Sequence, residues 1–334
     1  MRIDGVDIEA VFGCVPANAV DNLAALEPLV GAEKAAAIVQ ATGFTTRRVA
    51  APGTDVFDLV LPAAKRALEG VVLREIGGVV AVSFSNRNRF PALSARLQHA
   101  LGLGNDVVAY DLSMACSGWI YGLFAAAQLV KSSGRKVLLV DGDVQSAWID
   151  PSDANTLAVM GDGAAAALLG PGTAPWEFDF FTDGAGAETL SCRETIAMDG
   201  FGVFRFVAGP VRRFLEMFLR NSQILAGGAS RFIPHQANLY MVRQLADALG
   251  LKDRVAGCGA RYANTGSSSA ALTLATLDAQ TSSGGVGSRR PTDSQRITFD
   301  GRCASILLAG FGAGLSAGAA ATTLGAYRKG VLEV

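Results

Sequence analysis

The sequence predicts an α/β protein with a mixed, largely parallel central sheet and two similar halves. Short runs rich in β-branched residues alternate with amphipathic stretches, which is typical of strands connected by helices. One segment of the first half recurs in the second half. Hydrophobic residues make up 50% of the 334 residues and charged residues only 18%. Because about 25% charged residues is usual, we expect extensive buried surface and a subunit interface.

The individual elements follow from hydropathy period and length. Apolar residues recur at helical spacing in two stretches, 56–68 and 93–101. Continuous apolar runs predict buried strands at 77–83, 136–141 and 305–309. The stretch 303–327 carries no charge, yet its many glycines and hydroxyl residues make it a poor membrane helix. It predicts a buried strand, a glycine turn and a second buried strand.

An internal repeat shows which positions of the two halves correspond. Residues 97–107 and 245–255 are identical at six of eleven positions, with an offset of 148. The same offset carries Cys116 onto Asn264 and Arg87 onto His235. We expect these positions at equivalent strand-to-helix junctions, where open α/β sheets bind ligands. The predicted halves are 1–172, which carries the cysteine, and 173–334, which carries the histidine and asparagine.

Two details of the halves come from the same comparison. The repeat offset later becomes about 169, so the second half has about twenty additional residues. A Gly/Ser-rich segment at 281–294 without apolar period accounts for them, and we expect it to be a mobile loop. We expect the halves to join around 171–176.

Charge and cysteine content exclude several classes of function. Lys plus Arg is 29 and Asp plus Glu is 30, so no net field attracts nucleic acid or an anionic membrane. The five cysteines form no CxxC pair, and two histidines give no zinc spacing, so no metal site or cofactor is expected. The first residues are acidic where a signal peptide is apolar. We therefore expect a cytoplasmic protein with reduced thiols.

Three polar residues are candidates for chemistry. Cys116 stands where a strand-like run meets a helix, and a helix N-terminus stabilises a thiolate near neutral pH; a small buried hydrophobe is the alternative. His235 follows a short apolar run, and Asn264 precedes a small-residue helix, where an N-cap is the ordinary role. A thiolate can attack a thioester, and two neutral donors can hold an enolate.

The motifs around these residues resemble those of β-ketoacyl-acyl-carrier-protein synthase III, a member of the thiolase superfamily. Five segments carry the resemblance over nearly the whole chain: 115–123 around the cysteine, 161–169 with its GDGAAAALL sequence, 234–238 around the histidine, 264–265 at the asparagine, and the Gly-rich 310–315. The resemblance implies a duplicated fold of two five-stranded mixed sheets in an αβαβα sandwich.

The resemblance also implies roles for the candidate residues. Cys116 would take an acyl group from an acyl-coenzyme A or acyl-carrier-protein donor. His235 and Asn264 would bind the carbonyl of malonyl-acyl-carrier protein as it loses carbon dioxide, and the carbanion would attack the acyl-enzyme. The backbone N–H groups of Cys116 and Ala313 would form the oxyanion hole.

Further implied features concern substrate and partner. The family is typically a homodimer in which the partner chain supplies an aromatic side chain to the acyl pocket, and Phe90 stands at the matching position. Asn238, Gly312 and Gly314 are candidates for substrate binding. Two alternatives stay open: transfer of the acyl group to an alcohol or amine, and a non-catalytic partner subunit of a ketosynthase complex.

The chain departs from the family pattern at the coenzyme A clamp. Where relatives that use acetyl-coenzyme A carry a Trp and two Arg, this sequence has Ala37, Ala41 and a position near Ala154. Losing aromatic stacking and phosphate pairing predicts weaker coenzyme A binding. Ala263 replaces the glycine that often precedes the asparagine. The arginines proposed to dock an acidic carrier are Arg47, Arg48, Arg212, Arg213 and Arg243.

Overall fold

The computed structural model describes residues 1–277, 295–296 and 304–334, so the segment 281–294 lies outside the described residues. Its strands are β1 (Arg2–Val15), β2 (Ala19–Asp21), β3 (Thr46–Arg48), β4 (Ile76–Val82), β5 (Val108–Leu112), β6 (Lys136–Asp143), β7 (Gly163–Thr182), β8 (Leu190–Cys192), β9 (Ile196–Met198), β10 (Arg231–Pro234), β11 (Gln295–Arg296), β12 (Ala304–Gly312), β13 (Ser316–Leu324) and β14 (Arg328–Glu333).

The helices alternate with these strands along most of the chain. They are α1 (Asn22–Val30), α2 (Ala32–Thr42), α3 (Val56–Ala67), α4 (Leu93–Ala100), α5 (Gly118–Ser133), α6 (Ala154–Leu157), α7 (Gly200–Phe206), α8 (Arg212–Asn221), α9 (Leu239–Ala248), α10 (Gly259–Tyr262) and α11 (Ser268–Thr276). The expected helices at 56–68 and 93–101 are α3 and α4. The expected strand, turn and strand at 303–327 are β12 and β13. In the described part of the chain, no helix is long and apolar enough to cross a membrane.

The strand pairing occurs twice in the same pattern. In the first half, β1 pairs antiparallel with β7, β7 antiparallel with β6, and β6 parallel with β4, which pairs parallel with β5. In the second half, the end of β7 pairs antiparallel with β13, β13 antiparallel with β12, and β12 parallel with β10. The duplicated, mixed α/β fold that the sequence predicts is therefore confirmed.

One expectation about the connections is wrong, and another stays a prediction. The segment 171–176, where we expect the halves to join, lies inside the continuous strand β7, which pairs with β1 and then with β13. The residue that corresponds to β5 in the second half is Val255, which makes a single parallel bridge to Phe232. Asn264 therefore follows the short helix α10 rather than a strand. The boundary predicted between 172 and 173 also falls within β7 and stays a prediction.

The buried layer between the halves is formed by helices α5 and α11. Helix α5 packs on β4 and β6, and α11 packs on β1 and β7. The first turn of α5 approaches the sheet so closely that a Cβ on Gly118 would lie 2.5 Å from Val82 Cγ1. Glycine is needed there because a larger residue would push the helix off the sheet. This close packing fixes the start of α5, where Cys116 lies.

Candidate active site

Cys116 lies in a single 3-10 turn between β5 and α5. The turn spans Ala115–Ser117, and Ala115 adopts the left-handed conformation with φ of 43°. Ser117 Oγ donates to Met114 O at 3.0 Å and lies 2.8 Å from Ser316 Oγ at the start of β13. The nucleophile candidate is thus held by both halves of the molecule.

The pKa of the Cys116 thiol is set mainly by burial, which raises it to about 11. Hydrogen bonding to the backbone of Ala313 and of Cys116 itself lowers it, while Asp143 and Asp141 raise it electrostatically. Burial thus opposes the expected thiolate near neutral pH, which stays a prediction. The backbone hydrogen bonds lower the pKa, but burial has the larger effect.

His235 follows β10 directly, as the sequence predicts. Its N–H donates to Ala309 O at 2.7 Å, and its ring meets the edge of Phe311 at a centroid distance of 5.6 Å. Nδ1 lies 3.0 Å from both Gly266 O and Ser269 Oγ. Burial lowers the pKa of the ring to about 4, so His235 is neutral at physiological pH.

Asn264 is held in a tight turn before α11. Its Oδ1 accepts from Gly266 N at 2.9 Å, and its Nδ2 donates to Ala237 O at 3.3 Å. The preceding Ala263 has φ of 59°. An amide NH₂ has two hydrogens, so one hydrogen of Asn264 is left for a bound oxygen atom.

The three candidates line one cavity of about 80 Å³. Asn238 and Gly312 also line it. The other lining residues are mostly apolar: Val159, Met160, Leu190, Met198, Gly200, Val203, Val207, Ala237, Met241 and Phe311. A thiol and two neutral hydrogen-bonding side chains in an apolar cavity suit reactions in which an oxyanion develops away from water.

The remaining predicted residues have varied positions. A Cβ on Gly312 would lie 2.7 Å from Cys116 Cβ and 3.0 Å from its Sγ, so the backbone at Gly312 touches the thiol. Asn238 caps α9 by accepting from Met241 N at 2.7 Å. Gly314 is not among the residues that line the cavity. Phe90 is 87% exposed and lies outside the cavity of its own chain.

Two of the arginines proposed for carrier docking have internal roles. Arg47 is buried, and its Nε donates to Asn22 Oδ1 at 3.0 Å. Arg48 donates to Ala17 O at 2.7 Å and pairs with Glu333 at 3.0 Å. Those two expectations are wrong, because Arg47 ties β3 to the start of α1, and Arg48 ties β3 to the loop after β1 and to the end of β14. Arg212, Arg213 and Arg243 are exposed.

Sequence reasoning missed several polar groups close to the site. Asp141 accepts from Ser267 Oγ at 2.6 Å, and Asp143 accepts from Ser83 Oγ at 2.9 Å. Burial raises the pKa of both carboxyl groups, that of Asp143 to about 6. Ser269, which contacts His235, was also missed. Two acids at the end of a buried strand and three consecutive serines after Asn264 were the available signals.

Family models match both halves of the chain. The model described as 3-oxoacyl-[acyl-carrier-protein (ACP)] synthase III matches residues 110–184, and its C-terminal counterpart matches residues 219–285. These ranges contain Cys116, His235 and Asn264. The matches thus include every residue of the candidate triad.

Relatives and solved structures extend the similarity over most of the chain. The β-ketoacyl-[acyl-carrier-protein] synthase III of Geobacillus kaustophilus is 32% identical, covering 85% of this chain and 88% of the relative. That of Streptomyces lividans is 33% identical over 82% of each chain. A 3-oxoacyl-(acyl-carrier protein) synthase from Burkholderia xenovorans has a TM-score of 0.88 at 27% identity, covering 100% of this chain and 98% of that one.

A structure from polyketide biosynthesis is also similar. The priming β-ketosynthase of the R1128 polyketide pathway has a TM-score of 0.83 at 29% identity, covering 96% of this chain and 97% of that one. Family models, sequence relatives and structures agree with the fold. The chain belongs to the β-ketoacyl-acyl-carrier-protein synthase III family and is a condensing enzyme of the type that serves fatty-acid or polyketide biosynthesis.

Proposed function

We propose that the protein is an acyltransferase that loads an acyl group onto Cys116 and condenses it with malonyl-acyl-carrier protein. The observation that carries the proposal is the cavity in which Cys116, His235 and Asn264 meet. The first residue is a nucleophile and the other two are neutral hydrogen-bonding groups. Their combination suits thioester exchange followed by stabilisation of an enolate.

In the acylation step, Cys116 exchanges its proton for an acyl group. Its sulfur attacks the carbonyl carbon of the donor thioester, the bond to the donor sulfur breaks, and the thiol proton passes to that leaving sulfur. The developing oxyanion needs two donors beside the sulfur. Hydrogen bonding of Sγ to the backbone of Ala313 and of Cys116 supports these two N–H groups as the oxyanion hole.

In the condensation step, His235 and Asn264 act on malonyl-acyl-carrier protein. Loss of carbon dioxide leaves the electron pair of the broken C–C bond as an enolate. The free amide hydrogen of Asn264 and the ring of neutral His235 hold the enolate oxygen. The carbanion attacks the acyl carbonyl carbon, the bond from that carbon to Cys116 Sγ breaks, and the released thiolate takes up a proton from solvent. Because neither group is a cation, the cavity can stay apolar between steps.

The donor is proposed to be an acyl-carrier protein rather than acyl-coenzyme A. Ala37 and Ala41 are exposed on α2, so neither position offers an aromatic face or a cation to an adenine nucleotide. Ala154 is buried. Arg212 and Arg213 begin α8, shortly after the cavity-lining Val207, and Arg243 lies on α9, whose Met241 lines the cavity. These three exposed arginines are proposed to dock the acidic carrier.

The active unit is proposed to be a homodimer. Phe90 is 87% exposed between β4 and α4, so its ring is accessible to a partner chain. Strand β5 pairs with β4 on one side, and its residues are mostly exposed or half-buried. In the proposed dimer, Phe90 enters the acyl pocket of the partner chain.

Intact-mass measurement of acyl adducts tests the proposal. The protein is mixed with matched panels of acyl-coenzyme A and acyl-carrier-protein donors, with Cys116→Ala as the negative variant. Cys192→Ala is the matched control, because Cys192 is an exposed thiol outside the cavity. We expect an adduct on wild type and Cys192→Ala, absent from Cys116→Ala, and faster labelling by the carrier-protein panel.

Addition of malonyl-acyl-carrier protein to the isolated acyl-enzyme separates condensation from its alternatives. A β-ketoacyl product with release of carbon dioxide supports the proposal. Transfer to an added alcohol or amine without need for malonyl-carrier protein identifies an O- or N-acyltransferase instead. If neither panel labels Cys116 while iodoacetamide does, the proposal fails and a partner-subunit role replaces it.

A further inference from the structure

The hydroxyl of Ser269 makes contacts that the proposed reaction has not yet used. Ser269 is fully buried on the first turn of α11. Its Oγ lies 3.0 Å from His235 Nδ1 and 2.8 Å from Gly266 O, and it accepts from Gln236 N at 3.1 Å. A hydroxyl has a single proton to donate. Ser269 can therefore donate to Gly266 O or to His235, but not fully to both.

These two choices correspond to the two tautomers of neutral His235. If Ser269 donates to Gly266 O, its oxygen cannot supply a proton to Nδ1, and Nδ1 must carry a hydrogen that points at Gly266 O, 3.0 Å away. If Ser269 donates to Nδ1, the ring carries its hydrogen at Nε2, and the lone pair of Nδ1 faces the lone pairs of Gly266 O. In a buried site the second arrangement is less stable unless Nε2–H finds an acceptor.

A substrate carbonyl is such an acceptor. The His235 ring lines the cavity with Nδ1 turned toward the protein, so Nε2 is the nitrogen left for a bound group. We propose that Ser269 is a positioning residue that sets the tautomer of His235. In the free protein it donates to Gly266 O and the ring is protonated at Nδ1. With a carbonyl in the cavity it turns to Nδ1 and the ring donates from Nε2.

The change is balanced and needs no additional reactant. Proton exchange with bulk solvent interconverts the two tautomers, and a bound carbonyl selects the Nε2–H form, so the ring is neutral in both states. The bound form presents a donor to the enolate oxygen. The inference rests on the proposed function, since it assigns the hydrogen bond on which the condensation step depends.

Histidine-specific ¹⁵N NMR tests the tautomer directly in the whole protein. The chain has two histidines, and exposed His99 on α4 serves as the internal reference. At pH 7 and without substrate, we expect the His235 signals of the Nδ1–H form. Signals of the Nε2–H form in the free protein would overturn the proposal. This measurement does not require any acyl donor to react, so it stands apart from failure of the proposed function.

Kinetics of two serine variants test the part of the proposal that concerns the substrate-bound state. Ser269→Ala removes the hydroxyl at Nδ1, while Ser268→Ala removes an equally buried hydroxyl of the same turn that donates to Thr265 O and does not contact His235. For Ser269→Ala we expect Cys116 acylation within about twofold of wild type and condensation at least tenfold slower. Ser268→Ala should leave both within about twofold.

Two results would contradict the kinetic expectation. Equal losses of acylation and condensation in Ser269→Ala would indicate a structural role, and unchanged condensation would show that Nδ1 needs no donor. If Ser269→Ala does not fold, the NMR measurement on wild type still decides the free-state tautomer. If no donor acylates wild-type Cys116, the proposed function fails, and the tautomer is judged from NMR alone.

Discussion

The turns that hold Cys116 and Asn264 have the same backbone feature but different support. Ala115 and Ala263 each precede the polar residue, are separated by the repeat offset of 148, and are the two non-glycine residues with positive φ in the described part of the chain. Ala115 follows strand β5, which pairs with β4 over five residues. Ala263 follows the short helix α10, and only Val255 bridges to the sheet.

This difference shows which part of the duplicated structure is needed at the site. The second half has one bridge where the first half has strand β5, yet both halves have the left-handed alanine followed by a polar residue. A strained residue persists where its surroundings hold it and its direction is used. We infer that the direction of the side chain, rather than the strand before it, is what the two turns have in common.

The largest expected effect is that substitutions in the two turns impair different reaction steps. Cys116→Ala should abolish acylation, because no other group in the cavity can form the thioester. Asn264→Ala should leave acylation within about threefold and slow condensation by about 10²–10³, the usual cost of one oxyanion donor. Acyl-adduct formation by intact mass and β-ketoacyl product formation measure the two steps. Equal losses of both steps in Asn264→Ala would contradict separate roles.

A substitution at Gly312, which faces Cys116, tests how closely the second half packs against the turn that holds Cys116. Gly312 has φ of 152°, and a Cβ there would lie 2.7 Å from Cys116 Cβ. Gly312→Ala should therefore slow acylation at least tenfold and destabilise the protein by about 1–3 kcal/mol. Gly184→Ala, where a Cβ meets nothing within 4 Å, is the matched control. Wild-type acylation by Gly312→Ala would show that the thiol can move aside.

The pH dependence should differ between the two titrating groups of the site. The raised pKa of the Cys116 thiol, about 11, leaves little thiolate at pH 7, so alkylation by iodoacetamide should accelerate about tenfold per pH unit between 7 and 10. The lowered pKa of His235, about 4, keeps the ring neutral over that range. Peptide mapping of Cys116 measures the rate. A plateau near pH 7 would show that the thiolate is stabilised more than burial allows.

The lowered pKa of His235 also predicts that the protein loses stability in acid. An unfolded histidine takes a proton near pH 6.5, whereas His235 in the folded protein takes one only near pH 4. As pH falls from about 6.5 to 4, the unfolded state binds the additional proton and the free energy of unfolding decreases. Urea unfolding of wild type and His235→Asn at pH 7 and pH 5 isolates this contribution. An equal acid dependence in both proteins would contradict it.

The sequence predicted the fold and the triad because local signals carry both. Continuous apolar runs identify β4, β6 and β12, and the repeat places Cys116 and Asn264 at corresponding turns. The burial that raises the Cys116 pKa could not be predicted, because a helix terminus is visible in sequence whereas burial depends on the packing of both halves. Ser269 was missed because its partner His235 is 34 residues away in the sequence and is brought near by the fold.

The smallest expected effect compares the two left-handed alanines themselves. A non-glycine residue in this conformation costs about 1–2 kcal/mol, and glycine relieves it at a cost of about 0.5–1 kcal/mol in chain entropy. Ala115 is half-buried, so Ala115→Gly should raise the free energy of unfolding by about 0.5–1 kcal/mol. Ala263 is fully buried among apolar side chains, and losing its methyl group costs about 0.8 kcal/mol.

At Ala263 the relief of backbone strain and the loss of the buried methyl group nearly cancel. Ala263→Gly should therefore change the free energy of unfolding by less than about 0.5 kcal/mol. Urea unfolding of both variants beside wild type measures the difference, with near-UV circular dichroism as the control for native packing. A larger gain at Ala263 than at Ala115 would mean that strain dominates over packing in the second turn. The alanine would then be retained there for the direction it gives Asn264, at the expense of stability.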